Sequence, residues 1–169
     1  MGLPAMLKNF NVFADGNSWL GLVSEVSLPE IKVKTEEWRG GGMPGPVDIP
    51  MGFEKLELEI KLGGLVVGAM RQFGRIGVSG AMLRYAGAYQ EDVGGGVLAA
   101  ELVTRGLQVA YNPGTAKTAA ATEQTVKSTL SYLKWTVNGR PEIELDMINN
   151  IAIFDGVDLM ADIRSALQQ

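Results

Sequence analysis

Between residues 53 and 62 the chain alternates strictly: Leu56, Leu58, Ile60 and Leu62 fall on one face of an extended segment, and Lys55, Glu57, Glu59 and Lys61 on the other. A period of two cannot be laid on the 3.6-residue turn of a helix, so this stretch reads as a strand with one buried and one solvated face. Looser versions of the pattern recur at residues 9–14, 19–28, 31–38, 81–90, 97–111, 122–137 and 142–148. Asp15-Gly16 and Asn138-Gly139 stand between such runs, and Asx-Gly is the pair that a tight hairpin turn favours. Pro29 separates residues 19–28 from the strand at 31–38.

Two segments follow a helical period instead. Residues 64–73 place Leu65, Val66, Ala69, Met70 and Phe73 at that spacing between glycines, and residues 158–167 place Leu159, Ile163 and Leu167 four apart behind an acidic start. Residues 39–50 and 112–121 read as loops. The expected fold is mainly β: an antiparallel barrel or sandwich with one inserted helix and one C-terminal helix, in a single domain spanning residues 1–169.

The chain has no cysteine and no histidine. This removes disulfides, thiol nucleophiles, Cys- or His-based zinc sites and every His-dependent triad. The net charge is −4, with no basic cluster of the kind that grips nucleic-acid phosphates, although such a surface could line a conduit to which nucleic acid does not stick. No apolar run reaches the 18 or so residues of a membrane span, and the N-terminus lacks a signal peptide's apolar core. No membrane anchor is expected, and synthesis in the cytoplasm is the default reading.

Gly40-Gly41-Gly42 and Gly94-Gly95-Gly96 fit neither a P-loop nor a dinucleotide fingerprint, and read as backbone flexibility. They belong to a chain with 22 glycines in 169 residues, about twice the usual share of roughly 7%. Glu57 with Glu59, and Glu142 with Glu144, share strand faces, but no third ligand stands near them in sequence. Asp155, Asp158 and Asp162 lack the spacing of a calcium loop. No cofactor, metal or catalytic residue is expected. The strand at 53–62 is either an ordinary solvated strand or one whose edge closes a larger barrel with neighbouring copies.

The segment 34–64 carries a resemblance. It contains Lys34-Thr35-Glu36, then Trp38-Arg39-Gly40-Gly41-Gly42-Met43, then Met51-Gly52. With Asp15-Gly16 and Leu28-Pro29 before it, this order closely resembles the major tail tube proteins of contractile-tailed phages and of R-type bacteriocins. Residues 135–139 (Trp-Thr-Val-Asn-Gly), Glu144-Leu145-Asp146, Asp155-Gly156 and Arg164 extend the resemblance towards the C-terminus.

The resemblance implies a non-enzymatic structural subunit. Hexameric rings would stack into a hollow tube whose inner sheets join into a ring-wide β-barrel. A sheath would enclose the tube, baseplate or tail-tip and tail-terminator proteins would bound it, and DNA would pass through the lumen without specific binding. The location implied is the virion tail, assembled in the cytoplasm of a host bacterium. The Gly/Pro stretch and strand at 39–52 is the expected contact between subunits or rings: Trp38, Arg39, Gly40, Gly41, Gly42, Met43, Pro44, Gly45, Pro46, Met51 and Gly52. The charged face Lys55, Glu57, Glu59 and Lys61 is expected at the lumen or a ring interface, and the helix at 158–167 towards the sheath. The competing function is a small-ligand-binding β-barrel; an enzyme would have to work without His or Cys.

Overall fold

The computed structural model describes residues 2–169. The strands are β1 (Met6–Ala14), β2 (Asn17–Ser18), β3 (Val23–Ser27), β4 (Val33–Trp38), β5 (Val47–Phe53), β6 (Leu56–Gly63), β7 (Ala81–Gln90), β8 (Val97–Asn112), β9 (Glu123–Val137), β10 (Arg140–Asp146), β11 (Ile151–Phe154) and β12 (Val157–Asp158). Helix α1 (Val67–Phe73) follows β6, and α2 (Ala161–Ala166) closes the chain. Every strand pairing is antiparallel.

Ten strands form one branched sheet, and β4 and β5 form a separate two-stranded one. The branch lies in β9. One edge of β9 pairs with β8, while the other is divided between β6 (residues 123–130) and β10 (residues 132–137). Leu130 and Ser131 are both buried although adjacent, so the alternation breaks there, opposite a register shift between Arg105 and Gly106. Such a bulge adds local bend and twist. Ser131 holds the bend: its hydroxyl donates to the Arg105 carbonyl at 3.3 Å and its own carbonyl accepts from Met147 N–H at 2.9 Å.

The bend folds the two arms of the sheet over one another, and the expected alternation supplies the filling. Leu56, Leu58, Ile60 and Leu62 of β6 meet Val12 of β1, Leu83 and Tyr85 of β7, Leu102 of β8 and Leu133 of β9 in a single cluster. The void remaining among Val12, Val26, Leu58, Leu83, Tyr85 and Leu102 is about 10 Å³, at most room for a single water. The interior is a packed core rather than a ligand cavity.

Three hairpin turns share one geometry. Asp15-Gly16, Asn138-Gly139 and Asp155-Gly156 have φ of 51° and 78°, 48° and 80°, and 49° and 79°. Positive φ at both central residues is the type I′ signature, whose twist matches the strands it joins.

The structure departs from the sequence reading in four places. Residues 19–28 are not one strand: a turn at Gly21 (φ 79°) interrupts them and folds Trp19 into the core, 7% exposed. Residues 39–50 are not all loop, because Val47–Phe53 pairs with Val33–Trp38 and confines the loop to residues 39–46. Pro50 is tolerated in β5 because this is an edge strand with no further neighbour. Residues 142–148 end as a strand at Asp146, whose carboxylate accepts from the N–H groups of Ile148 and Asn149 and starts a turn. The chain then returns as β11 and β12, which periodicity did not mark. Both helices are shorter than expected, and α2 buries none of its residues.

Candidate assembly interface

The hairpin β4–β5 stands apart from the core. All six residues of β4 and six of the seven in β5 are exposed. Register places Glu36 opposite Ile49 and Trp38 opposite Val47, and places Thr35 opposite Pro50 and Glu37 opposite Asp48. One face is therefore largely apolar, carrying Trp38 (60% exposed), Val47 and Ile49 together with Glu36. The other carries two carboxylates in direct cross-strand opposition, an arrangement that destabilises a strand pair. No Lys or Arg among the described residues lies within ion-pair distance of Glu36, Glu37 or Asp48. An isolated two-stranded hairpin is marginal in water, and this one also exposes its apolar face.

The tip of the hairpin is locally organised. Gly40 N–H donates to Met43 Sδ at 3.1 Å, Met43 N–H to the Gly40 carbonyl at 3.3 Å, and the Arg39 guanidinium to the Pro44 carbonyl at 3.5 Å. Gly42 (φ 85°) lets the tip turn, and Gly52 (φ 100°) sits at the irregularity between the Val33–Phe53 and Thr35–Pro50 pairs. Residues 38–52 thus form one ordered arm projecting from the sheet.

The charged face of β6 is a different surface. Its charges are matched by neighbours: Lys55 pairs with Glu57 at 3.0 Å, Lys61 with Glu25 at 3.3 Å, and Glu59 with Lys127 at 3.4 Å. The Glu25 carboxylate that accepts from Lys61 holds that ammonium above its ordinary pKa. These pairs tie β3, β6 and β9 together across the sheet surface.

Strand edges remain open elsewhere. Over residues 6–11, β1 pairs with β7 on one side, while β2 covers only Phe13 and Ala14 on the other. The outer edge of β3 has no partner strand. Open edges are templates for pairing with another chain.

A β domain with an unpartnered arm and open edges has the anatomy of a self-assembling protein. The family model for phage tail tube protein FII matches residues 4–167. The chain belongs to that family. It is 36% identical over 161 residues to the tail tube protein of Escherichia phage P2, with 94% of each chain covered. It is 32% identical over 164 residues to the major tail tube protein of Serratia phage KSP20, covering 96% of this chain and 94% of that one.

Two solved structures share the fold at 12% identity. One chain comes from the extended-state sheath/tube terminator of the extracellular contractile injection system PVC: TM-score 0.58, covering 79% of this chain and 97% of that one. The other comes from the baseplate of the anti-feeding prophage: TM-score 0.56, covering 80% and 97%. This chain is a tail tube subunit of the contractile-tail class, and its family is structural.

The tail tube subunit has further exposed apolar surface that the sequence reading did not recognise as such. Leu65, Val67, Met70, Phe73, Ile76 and Val78 all lie open around α1, Ile76 at 97% exposure. On and beside α2, Leu159, Ile163 and Leu167, the four-residue stripe of the helix expected towards the sheath, are each about half exposed. Helix α2 is held by polar contacts instead. Arg164 donates to the Asn150 carbonyl at 2.9 Å and to Asp158 at 3.2 Å, and Arg164 together with Met160 N–H keeps the Asp158 carboxyl below its ordinary pKa. The available signal was composition: residues 64–80 contain Arg71 and Arg75 but no carboxylate, unusual for a helix meant to stay in water.

Proposed function

We propose that copies of this chain form hexameric rings that stack into the hollow inner tube of a contractile tail, and that the tube lies within a sheath and conducts DNA through its lumen. The observation that carries this reading is the ordered, projecting hairpin with its unpartnered apolar face, in a chain whose family is that of tail tubes. Burying Trp38, Val47, Ile49 and Met51 between copies would supply part of the association free energy, since each large apolar side chain taken from water contributes about 1.5–3 kcal/mol before ordering costs. Open edges at β1 and β3 supply backbone partners for sheet continuation across subunits. The solved structures that share the fold include a sheath–tube complex, a terminator and a baseplate; by analogy the partners here are a sheath protein, a terminator and baseplate or tip proteins.

The subunit would function in the virion tail after assembly in a host bacterium's cytoplasm. The arm residues Trp38 to Met43, Pro44, Gly45, Pro46, Met51 and Gly52 are assigned to contact with the neighbouring subunit or ring. The matched charges Lys55, Glu57, Glu59 and Lys61 are assigned to the lumen or a ring interface. A face of matched charges carries no strong field of either sign, which suits a conduit through which a polyanion passes without adhering.

Negative-stain electron microscopy over a wide concentration series tests the class. Six-fold rings or hollow tubes are the expected result. A monodisperse monomer at every concentration, with saturable binding of a small apolar ligand, would replace this reading with a ligand-binding barrel. Limited proteolysis tests the arm: cleavage within residues 39–46 is expected to slow in tubes relative to free subunits, and equal cleavage in both removes the arm from the interface.

A further inference from the structure

The arm and the α1 region are complementary in two independent respects. The apolar face of the arm presents Trp38, Val47 and Ile49 together with Glu36, which makes no ion pair among the described residues. The segment 64–80 presents Val67, Met70 and Ile76 beside Arg71 and Arg75 without any carboxylate of its own. Arg71 makes no ion pair among the described residues, and Arg75 is held at Asp15, its Nη1 donating at 2.9 Å. Within one subunit the two surfaces do not satisfy each other: β4 and β5 pair only together, while α1 packs on β8.

Resting on the reading that this chain self-assembles through its arm, we infer that the β4–β5 arm of one copy seats on the α1 segment of a second copy. The apolar face of the arm covers Val67, Met70 and Ile76. Arg71 of the receiving copy pairs with Glu36, the carboxylate that register places on the apolar face opposite Ile49. Two defects of the isolated subunit are relieved together, namely an unpaired carboxylate on an apolar strand face and a nearly fully exposed isoleucine just beyond α1. The contact is heterologous, because the donor surface and the receiving surface differ, and repetition of such a contact builds rings or stacks rather than closed pairs.

The absence of native cysteine makes the test direct. Subunits carrying Ile49→Cys are mixed with subunits carrying Ile76→Cys, assembled and oxidised, so that only contacts between copies can produce a cross-linked dimer. The control pairs Ile49→Cys with Val157→Cys, exposed on β12. Cross-linking of the first mixture and not of the control is expected. In parallel, Glu36→Lys is expected to raise the concentration needed for assembly at least tenfold, and adding Arg71→Glu to restore it.

Assemblies that form with no 49–76 cross-link and no charge rescue would overturn this contact and leave the assembly reading standing. Failure of the unmodified protein to assemble at all would overturn both. If a cysteine at residue 76 reacts with maleimide as fast in tubes as in free subunits, the α1 surface is free for a sheath subunit and the contact is refuted.

Discussion

Gly106 carries the bend on which the fold depends, and Gly106→Ala is the most informative single change. Its backbone is not in the left-handed region, so alanine's own conformational preference is not the obstacle. The obstacle is β9. A Cβ at this position would overlap the Thr129 carbonyl oxygen and lie 3.0 Å from both Leu130 Cα and Thr129 C, all of them backbone atoms. A side-chain tip could swing aside, but a ladder strand cannot without lengthening its hydrogen bonds. Overpacking of this kind costs about 1–3 kcal/mol, and weakening one adjacent backbone bond adds about 1 kcal/mol, so a loss of about 2–4 kcal/mol is expected.

For a chain of this length that corresponds to a fall in Tm of roughly 5–15 °C. Urea unfolding of the free subunit measures it. Gly41→Ala is the control, because a Cβ there meets nothing within 4 Å. A Gly106→Ala loss under about 0.5 kcal/mol, indistinguishable from Gly41→Ala, would refute the argument that the bend requires backbone contact at this residue.

Leu133, fully buried where β9 changes partner from β6 to β10, is expected to lose about 2–5 kcal/mol on replacement by alanine, measured by the same unfolding curves. The Asp158–Arg164 contact predicts an acid response. The folded carboxyl sits below its ordinary pKa, so its contribution is present above about pH 4 and lost as pH falls through the depressed value. Protection factors of the α2 amides, taken against their intrinsic exchange rates, are therefore expected to fall selectively on acidification, and Asp158→Asn to abolish that dependence. Tyr132 predicts the alkaline counterpart. Burial first, and then its hydrogen bond to Glu144 at 2.9 Å, pushes the phenol up to about 12. Its contribution is present below about pH 10 and lost as pH rises through about 12. Ultraviolet titration of Glu144→Gln should show the phenol ionising earlier than in the parent, yet still above an ordinary tyrosine.

Much of this architecture was legible before any coordinates. The alternation of residues 56–62 named four core side chains, and Asn138-Gly139 and Asp15-Gly16 located two of the three type I′ turns. Local rules sufficed there because alternation and turn chemistry act within a few residues. The third turn, Asp155-Gly156, was visible only through the family resemblance, because the strand before it is four residues long and too short to show a period. Trp19 misled for a physical reason. A tryptophan next to Leu20 and Leu22 looks like strand, and only the left-handed Gly21 shows that the chain turns there.

The assembly surfaces were harder still. Residues 38–52 were marked by the resemblance, but their pairing into an amphipathic arm depends on register between β4 and β5, which a Gly/Pro-rich connection obscures. The four-residue spacing on α2 reports that a helix has an apolar side. It does not report whether anything in the same chain covers it. The same applies to α1, whose outward residues are as apolar as its inward ones.

The sequence by itself determined the class of elements, two of the type I′ turns, the core side chains of β6, the lack of His- and Cys-dependent chemistry and the family, because each is written in local pattern or side-chain identity. Only the tertiary structure decided that β9 serves two partners along one edge, that the sheet bends at Gly106 and Ser131, and that the arm stands clear of the core. These depend on contacts between residues far apart in the chain, where burial is settled by what the rest of the fold brings alongside, and no local period encodes it.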